Sequence, residues 1–217
     1  GVEMMYKATG SSVGWADAVY LVPWRYYKRF GDKELLRRCW PMMQKYADAL
    51  LSRIEKDGHY EKGVHLGEWL EPEEFRDKVY GAKAKHPEEC TAYLYLTMTT
   101  MAEISALLGK SGDEYQKAAE RAKAAYAQYA ELDTDRQAKL VRPLALGFLD
   151  GEDKEQAQER LVKAVENFGY RVGTGFLSTP FLLGTLTEAG ASETAYKLLL
   201  NTEKPGWLYE VLQGATT

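Results

Sequence analysis

The stretch Gly14-Trp15-Ala16-Asp17-Ala18-Val19-Tyr20-Leu21-Val22-Pro23-Trp24 follows a flexible Gly10-Ser11-Ser12 lead-in and opens a helical apolar pattern. Apolar residues recur at helical spacing from Asp17 to Phe30, and Gly31 supplies a C-terminal stop. Trp15 and Asp17 stand two residues apart at the start of that helix. A tryptophan offers a flat stacking face, and an ionised aspartate offers acceptor oxygens for hydroxyl groups. Together they suit a sugar ring. On spacing alone the simpler account is a core Trp15 and a first-turn Asp17 favoured by the helix dipole.

Helical periodicity continues outward from this stretch. Asp32 is placed to cap a second helix running to about Lys56. Its apolar stripe includes Leu35, Leu36, Met43, Ala47, Leu50 and Ile54, and Pro41 is expected to kink or split it. Further helices are expected over 88–108, 114–129, from the Asp133-Thr134-Asp135 cap to about 146, over 153–168, 176–188, 191–200 and 208–217. The total is eight or nine helices with no convincing strand. Fold class is therefore all-α, either a bundle or a toroid of antiparallel helix hairpins. No linker marks a second domain, so residues 1–217 read as a single helical domain.

One connection breaks this rhythm. Between Gly58 and Pro87 only a short helix near 73–79 is expected, and the stretch holds His59, His65, His86 and Trp69. Long connections inside compact domains are usually functional or disordered, and this aromatic content argues against disorder.

Composition narrows the function classes. The 217 residues are 45% hydrophobic and 28% charged, with a net charge of −4, an ordinary globular balance. Nucleic acid is an unsuitable partner, because phosphate binding wants a basic face. No apolar run approaches the roughly 18–20 residues of a membrane span, so no membrane partner is expected. Residues 1–6 lack a basic segment followed by an apolar one, so no signal peptide is read here, and the compartment stays open. Two cysteines, Cys39 and Cys90, exclude a disulfide scaffold, and buried thiols are favoured over one bridge. The three histidines carry no zinc-ligand spacing, so no metal is expected. There is no Gly-x-Ser-x-Gly elbow and no phosphate-cradling glycine loop, and no cofactor is implied.

Carboxylate chemistry remains. Glu71, Glu73 and Glu74 read as solvated surface. Glu68-Trp69 differs, because it lies on the long connection within Gly67-Glu68-Trp69-Leu70. A Trp beside a carboxylate on a loop fits a sugar subsite, and equally a Trp that plugs the end of the domain beside an incidental Glu. His65 and His86 read first as structural hydrogen-bond partners. Gly173-Thr174-Gly175-Phe176-Leu177-Ser178-Thr179-Pro180 is a glycine-rich turn into a helix. It reads first as a tight turn needing positive φ, and second as a loop bringing backbone N–H groups toward a ligand.

Several segments then converge in order. Gly14-Trp15-Ala16-Asp17-Ala18-Val19 with Leu21-Val22-Pro23-Trp24 is followed by Tyr27-Lys28-Arg29-Phe30-Gly31-Asp32, Gly67-Glu68-Trp69-Leu70 and Thr91-Ala92-Tyr93. The glycine-rich turn, Ala195-Tyr196-Lys197-Leu198-Leu199-Leu200, Pro205-Gly206-Trp207-Leu208-Tyr209 and Gly214-Ala215-Thr216-Thr217 complete the series. This series resembles the catalytic domain of bacterial α-L-rhamnosidases of glycoside hydrolase family 78 over nearly the whole chain.

The resemblance implies an (α/α)6 barrel and hydrolysis of terminal α-L-rhamnosides with inversion at the anomeric carbon. It implies a rhamnose-containing glycan or glycoside as partner, with Trp15, Asp17, Glu68 and Trp69 as substrate-binding residues. Trp15 and Trp69 match two of the family's pocket tryptophans. Departures matter for mechanism. The family's Asp-x-Pro-x-Arg-x-Glu-Arg motif, which supplies the general acid, belongs upstream of Gly14. Its Trp-Glu motif, which supplies the general base, belongs after Thr217. The family usually carries Asp where Glu68 stands, and the extra methylene leaves that side chain's role open. The expectation is an incomplete toroid with no catalytic residue of its own, inactive in isolation and self-associating through uncovered helix faces. Two alternatives stay beside it: a non-catalytic helical carbohydrate-binding or assembly module, and a toroid glycosidase for another glycan.

Overall fold

The Asp32 carboxylate accepts a hydrogen bond from the Leu35 N–H at 2.9 Å and starts the second of nine α-helices. These are the α-helices found in the computed structural model, which describes residues 12–76, 78–79 and 84–216 and contains no strand among them. The first, α1 (Ala18–Phe30), ends at Gly31, whose φ of 73° lets its N–H turn back to the Tyr27 carbonyl at 2.7 Å. α2 (Lys33–Leu51) runs unbroken through Pro41, so of the kink or split expected there the split does not occur. Pro41 is exposed, and the buried Pro23 within α1 is accommodated without a break as well. Leu36, Trp40, Met43, Ala47 and Leu50 form the buried face. The helix stops at Leu51, short of Lys56, and a turn brings the chain to Gly58. A Cβ on Gly58 would stand 2.5 Å from the Arg121 carbonyl oxygen.

The 58–87 connection contains a single 3₁₀ turn, Glu73–Phe75, among its described residues, in place of the expected short helix. α3 (Pro87–Leu108) is buried on most sides, from Cys90 through Leu94 and again at Thr97, Met98, Met101 and Ile104. That burial explains why its sequence shows a long apolar run and little amphipathic contrast. Two of its buried hydroxyls bond within the helix: Thr97 donates to the Tyr93 carbonyl at 2.9 Å and Ser105 to the Met101 carbonyl at 2.7 Å. α4 (Asp113–Tyr126) presents Ala118, Ala119, Ala122 and Ala125 as a small-residue face and packs closely against α3.

α5 (Gln137–Ala145), α6 (Gly151–Asn167), α7 (Thr179–Glu188) and α8 (Ser192–Leu199) share a second core. Leu140, Val141, Leu161, Val165, Leu182, Leu186 and Leu198 are fully enclosed there. Each such side chain contributes about 1.5–3 kcal/mol by leaving water. Pro180 occupies the first turn of α7, where its missing N–H costs nothing. α9 (Trp207–Leu212) is shorter than its sequence pattern suggests. By contact the chain forms two compact units, one from Gly1–Gly67 and Tyr80–Gln128, the other from Glu68–Val79 and Tyr129–Thr217. Cys39 and Cys90 are not bridged. No described helix is long and apolar enough to cross a membrane.

Candidate functional site

In the first unit the chain enters α1 through a turn. Trp15 and Ala16 both donate backbone N–H groups to the Ser12 carbonyl, at 3.1 and 2.8 Å. Trp15 is half-buried, and its indole Nε1–H donates to the Gly67 carbonyl at 3.1 Å. Gly67 is a glycine by necessity, with φ of 54° and the His86 ring so close that a Cβ would overlap it. His86 therefore serves as packing at the start of α3. His65 is likewise buried, edge-on to Tyr60 with ring centroids 5.3 Å apart, and burial lowers its pKa, favouring the neutral ring.

Asp17 is completely buried. Tyr46 donates its hydroxyl to Oδ1 at 2.8 Å and Tyr20 donates to Oδ2 at 3.0 Å, while the Thr97 hydroxyl lies 3.3 Å from that of Tyr20. Burial pushes the Asp17 carboxyl up to about 6, against the opposing pull of its hydrogen bonds, that from Tyr46 first. The hydroxyl groups this carboxylate holds are therefore tyrosines of its own chain.

In the second unit Glu68 is also sealed from solvent. Arg142 Nη2 donates to its Oε2 at 2.8 Å, the Ser178 N–H donates to Oε1 at 2.8 Å, and the Ser178 hydroxyl donates to Oε2 at 2.7 Å. Three residues on, Glu71 takes a bidentate pair from Arg136, with Nε at 2.8 Å and Nη2 at 2.6 Å. Burial pushes Glu71 up to about 7 despite that guanidinium. Glu71 was expected on the surface with Glu73 and Glu74. The latter two are exposed, but Glu71 is buried.

The glycine-rich turn closes on this strap. The Phe176 N–H donates to the Trp69 carbonyl at 2.9 Å. A Cβ on Gly175 would stand 2.5 Å from the Glu68 carbonyl oxygen and 2.6 Å from that of Trp69. A Cβ on Gly173 would stand 2.6 Å from Gln137 Cδ, and Gln137 Oε1 accepts the Gly173 N–H at 2.8 Å. Neither glycine has positive φ, so these two serve close approach and not the left-handed turn expected of them. Trp69 itself is 40% exposed. Beside it a cleft of about 250 Å³ is lined by Leu70, Thr174, Phe176, Thr179, Trp207 and Glu210, among others.

The structure thus places Trp15 and Asp17 together at the head of α1, and Glu68 and Trp69 together on one strap. In each pair the tryptophan reaches the surface in part and the carboxylate is enclosed. Arg142, Ser178, Arg136 and Tyr46, which hold those carboxylates and Glu71, were not singled out from sequence. Arg142 had a signal: it interrupts the apolar run Leu140-Val141-Arg142-Pro143-Leu144, where a buried charge demands a partner.

Helices joined largely by short connections, without a strand among the described residues, define an all-α helical-hairpin domain. Residues 3–217 match the family model described as the bacterial alpha-L-rhamnosidase 6 hairpin glycosidase domain, and the chain belongs to that family. An α-L-rhamnosidase of Formosa agariphila is 30% identical over 216 residues, covering 95% of this chain and 23% of that protein. One from Streptomyces avermitilis is 30% identical over 211 residues, covering 94% of this chain and 19% of that protein. The crystal structure of the Streptomyces avermitilis α-L-rhamnosidase complexed with L-rhamnose superposes with a TM-score of 0.80 at 27% identity, over 95% of this chain and 20% of that one. The Aspergillus terreus α-L-rhamnosidase gives 0.82 at 28% identity, over 95% and 25%. This chain thus spans about a fifth to a quarter of the length of these relatives.

Proposed function

We propose that this chain supplies the sugar-positioning part of a glycoside hydrolase catalytic domain that acts on terminal α-L-rhamnosides by inverting hydrolysis. Support for the substrate class comes from the L-rhamnose complex of the Streptomyces avermitilis relative, which aligns with 95% of this chain. Trp15 in the first unit and Trp69 in the second each carry an aromatic face of the kind that stacks on a sugar ring. Asp17 and Glu68 complete the set, and their hydrogen bonds to Tyr46 and Tyr20 and to Arg142 and Ser178 support a role in fixing the backbone beside each tryptophan.

Inversion needs one carboxylic acid to protonate the leaving oxygen and one carboxylate to activate water, roughly 6.5–9.5 Å apart. Both must exchange protons with substrate or water. Asp17, Glu68 and Glu71 are enclosed and already engaged by hydroxyl or guanidinium donors. These three carboxylates are therefore not the proton-transfer pair, and the reading that places that pair elsewhere in the catalytic domain expects the 217 residues alone to bind and not to turn over. Each missing acid or base removes about 10²–10⁴-fold in rate.

Calorimetry with L-rhamnose tests the binding reading. Trp15→Ala and Trp69→Ala should each weaken it by about 0.5–1.5 kcal/mol, the worth of an aromatic stacking contact beyond its area. No heat of binding by the parent chain would overturn the positioning role. Robust turnover of an aryl α-L-rhamnoside by the same chain would overturn the placement of the acid and base elsewhere.

A further inference from the structure

We propose that His65 makes the 59–67 strap an acid-released latch, in which uptake of a proton by the imidazole opens the strap and frees the Trp15 side chain held at its end. The latch lies wholly within the first unit and does not depend on what Trp15 contacts.

Three attachments fix the strap. The Tyr60 N–H donates to the Thr91 hydroxyl on α3 at 3.0 Å, and Tyr60 is fully buried. His65 Nε2 lies 3.2 Å from the Lys62 carbonyl oxygen. Gly67 packs on the His86 ring, and its carbonyl accepts the Trp15 indole N–H at 3.1 Å. His65 therefore stands between the two outer attachments, and it is only 4% exposed.

These contacts set the protonation state of the closed strap. A carbonyl only accepts, so Nε2 carries the proton and Nδ1 is left with a lone pair. Nδ1 is buried and has no hydrogen-bond partner among the described residues. A second proton would turn it into a buried donor with nothing to receive it and would hold a charge away from water. The surrounding groups do not relieve that charge. Arg53, in the turn after α2, and His86, at the head of α3, are both basic and both disfavour it. Tyr60 presents its ring, 5.3 Å away between centroids. The acids on the same elements are engaged elsewhere: Asp57 with His59, Glu61 with Lys85 at 2.9 Å, and Glu89 facing His86 Nδ1 at 4.0 Å.

The sign of the pH dependence follows. Burial holds the closed His65 below its ordinary value of 6.5, to which the ring returns when the strap opens. Above pH 6.5 the closed form keeps its full advantage. Below it, the open strap takes up a proton that the closed strap refuses. The closed-to-open ratio then drops by up to about tenfold per pH unit, until the closed site itself is protonated. Asp17 acts in the opposite sense, because its carboxyl is raised in the folded chain. The latch is therefore read locally and not from the global melting temperature.

Hydrogen exchange of the 217-residue chain between about pH 7 and pH 5 tests it, with rates divided by the intrinsic rate at each pH. The Tyr60 amide and the Trp15 indole N–H should lose protection together below pH 6.5, by up to about tenfold per pH unit, relative to the Ala122 amide on α4. His65→Gln keeps a donor for the Lys62 carbonyl and has no proton to gain, so it should flatten both profiles. Protection at Tyr60 and Trp15 that tracks Ala122 throughout would overturn the latch. So would a loss of protection that persists in His65→Gln, or one that persists there and vanishes in His86→Gln. Imidazole ¹⁵N spectra of the parent chain give a second reading that needs no variant. At pH 6 the closed chain should show His65 as the neutral Nε2–H tautomer, and a doubly protonated ring with the strap still closed would overturn the proposal.

Discussion

Arg142 and Glu68 form an ion pair with both side chains sealed from solvent, Nη2 standing 2.8 Å from Oε2 at exposures of 1% and 0%. Taking two charges out of water costs several kcal/mol per ion, and attraction repays it only when further hydrogen bonds complete the site. Ser178 supplies two of them. The value of the pair is therefore in location as much as stability. It fixes the residue before Trp69 to α5 and to the residue that opens α7.

Removing one partner leaves the other charge buried. Arg142→Met should destabilise the chain by about 3–5 kcal/mol, and the double replacement Glu68→Gln with Arg142→Met should recover a large part of that loss. Urea unfolding of the two variants measures this directly. A double variant no more stable than the single would show that Arg142 acts through packing and not through charge.

Asp17 gives the chain a pH dependence of definite sign. Its carboxyl rises from 3.8 to about 6 on folding, so between those values the folded chain holds a proton that the unfolded chain has lost. Folded stability therefore falls as pH rises from about 4 to 6, by roughly 3 kcal/mol at most. Glu71, pushed up to about 7, acts in the same direction. Asp17→Asn removes the first contribution alone, so its melting temperature should decline less steeply than the parent's between pH 4 and 7. Parallel pH profiles for the two proteins would rule out burial of an ionisable Asp17.

Gly175→Ala tests close approach in the absence of backbone strain. The added methyl meets two backbone carbonyl oxygens, at 2.5 and 2.6 Å, and backbone cannot move aside as a flexible side chain can. Overpacking of this kind costs about 1–3 kcal/mol. The Phe176-to-Trp69 hydrogen bond should open first, so amide exchange at Phe176 should quicken by more than the global loss of stability explains.

Much of the fold was legible because helix signals are local. Asp32 by its carboxylate cap, Gly31 and Gly109 by their left-handed backbone and Pro180 by its missing N–H mark helix ends locally, and the structure has those ends where the residues put them. Pro41 does not end its helix, and neither does Pro23 in α1 or Pro143 in α5, because packing of the remaining residues outweighs the one backbone hydrogen bond a proline removes. The candidate site was legible only in part. Trp15 and Glu68-Trp69 stand out by residue type, yet nothing local reveals that Asp17 and Glu68 are enclosed. Each has a partner far away in sequence, Tyr46 on α2 for Asp17 and Arg142 on α5 for Glu68. Glu71 was misread for the same reason: a carboxylate beside Glu73 and Glu74 reads as surface until Arg136 is seen against it.

The outer face of α1 makes a last prediction. Val22, Tyr26 and Phe30 recur every four residues and are 64%, 43% and 66% exposed, with the Tyr26 and Phe30 rings 4.6 Å apart. Residues four apart share one face of a helix, so the three form a continuous apolar stripe in water. Covering one such side chain releases about 1.5–3 kcal/mol, and a stripe of this kind on a soluble surface marks an interface or a liability. The isolated chain should therefore self-associate as its concentration rises, detected as an increase in mass by light scattering and as enhanced fluorescence of an apolar dye. Val22→Gln with Phe30→Lys should weaken that association at least tenfold and leave the melting temperature nearly unchanged, because neither side chain is buried within the chain. The lysine adds a further small stabilisation at the C-terminal end of the helix dipole. A parent chain that stays monomeric at every concentration, with no dye response, would show that this stripe draws no partner of its own kind.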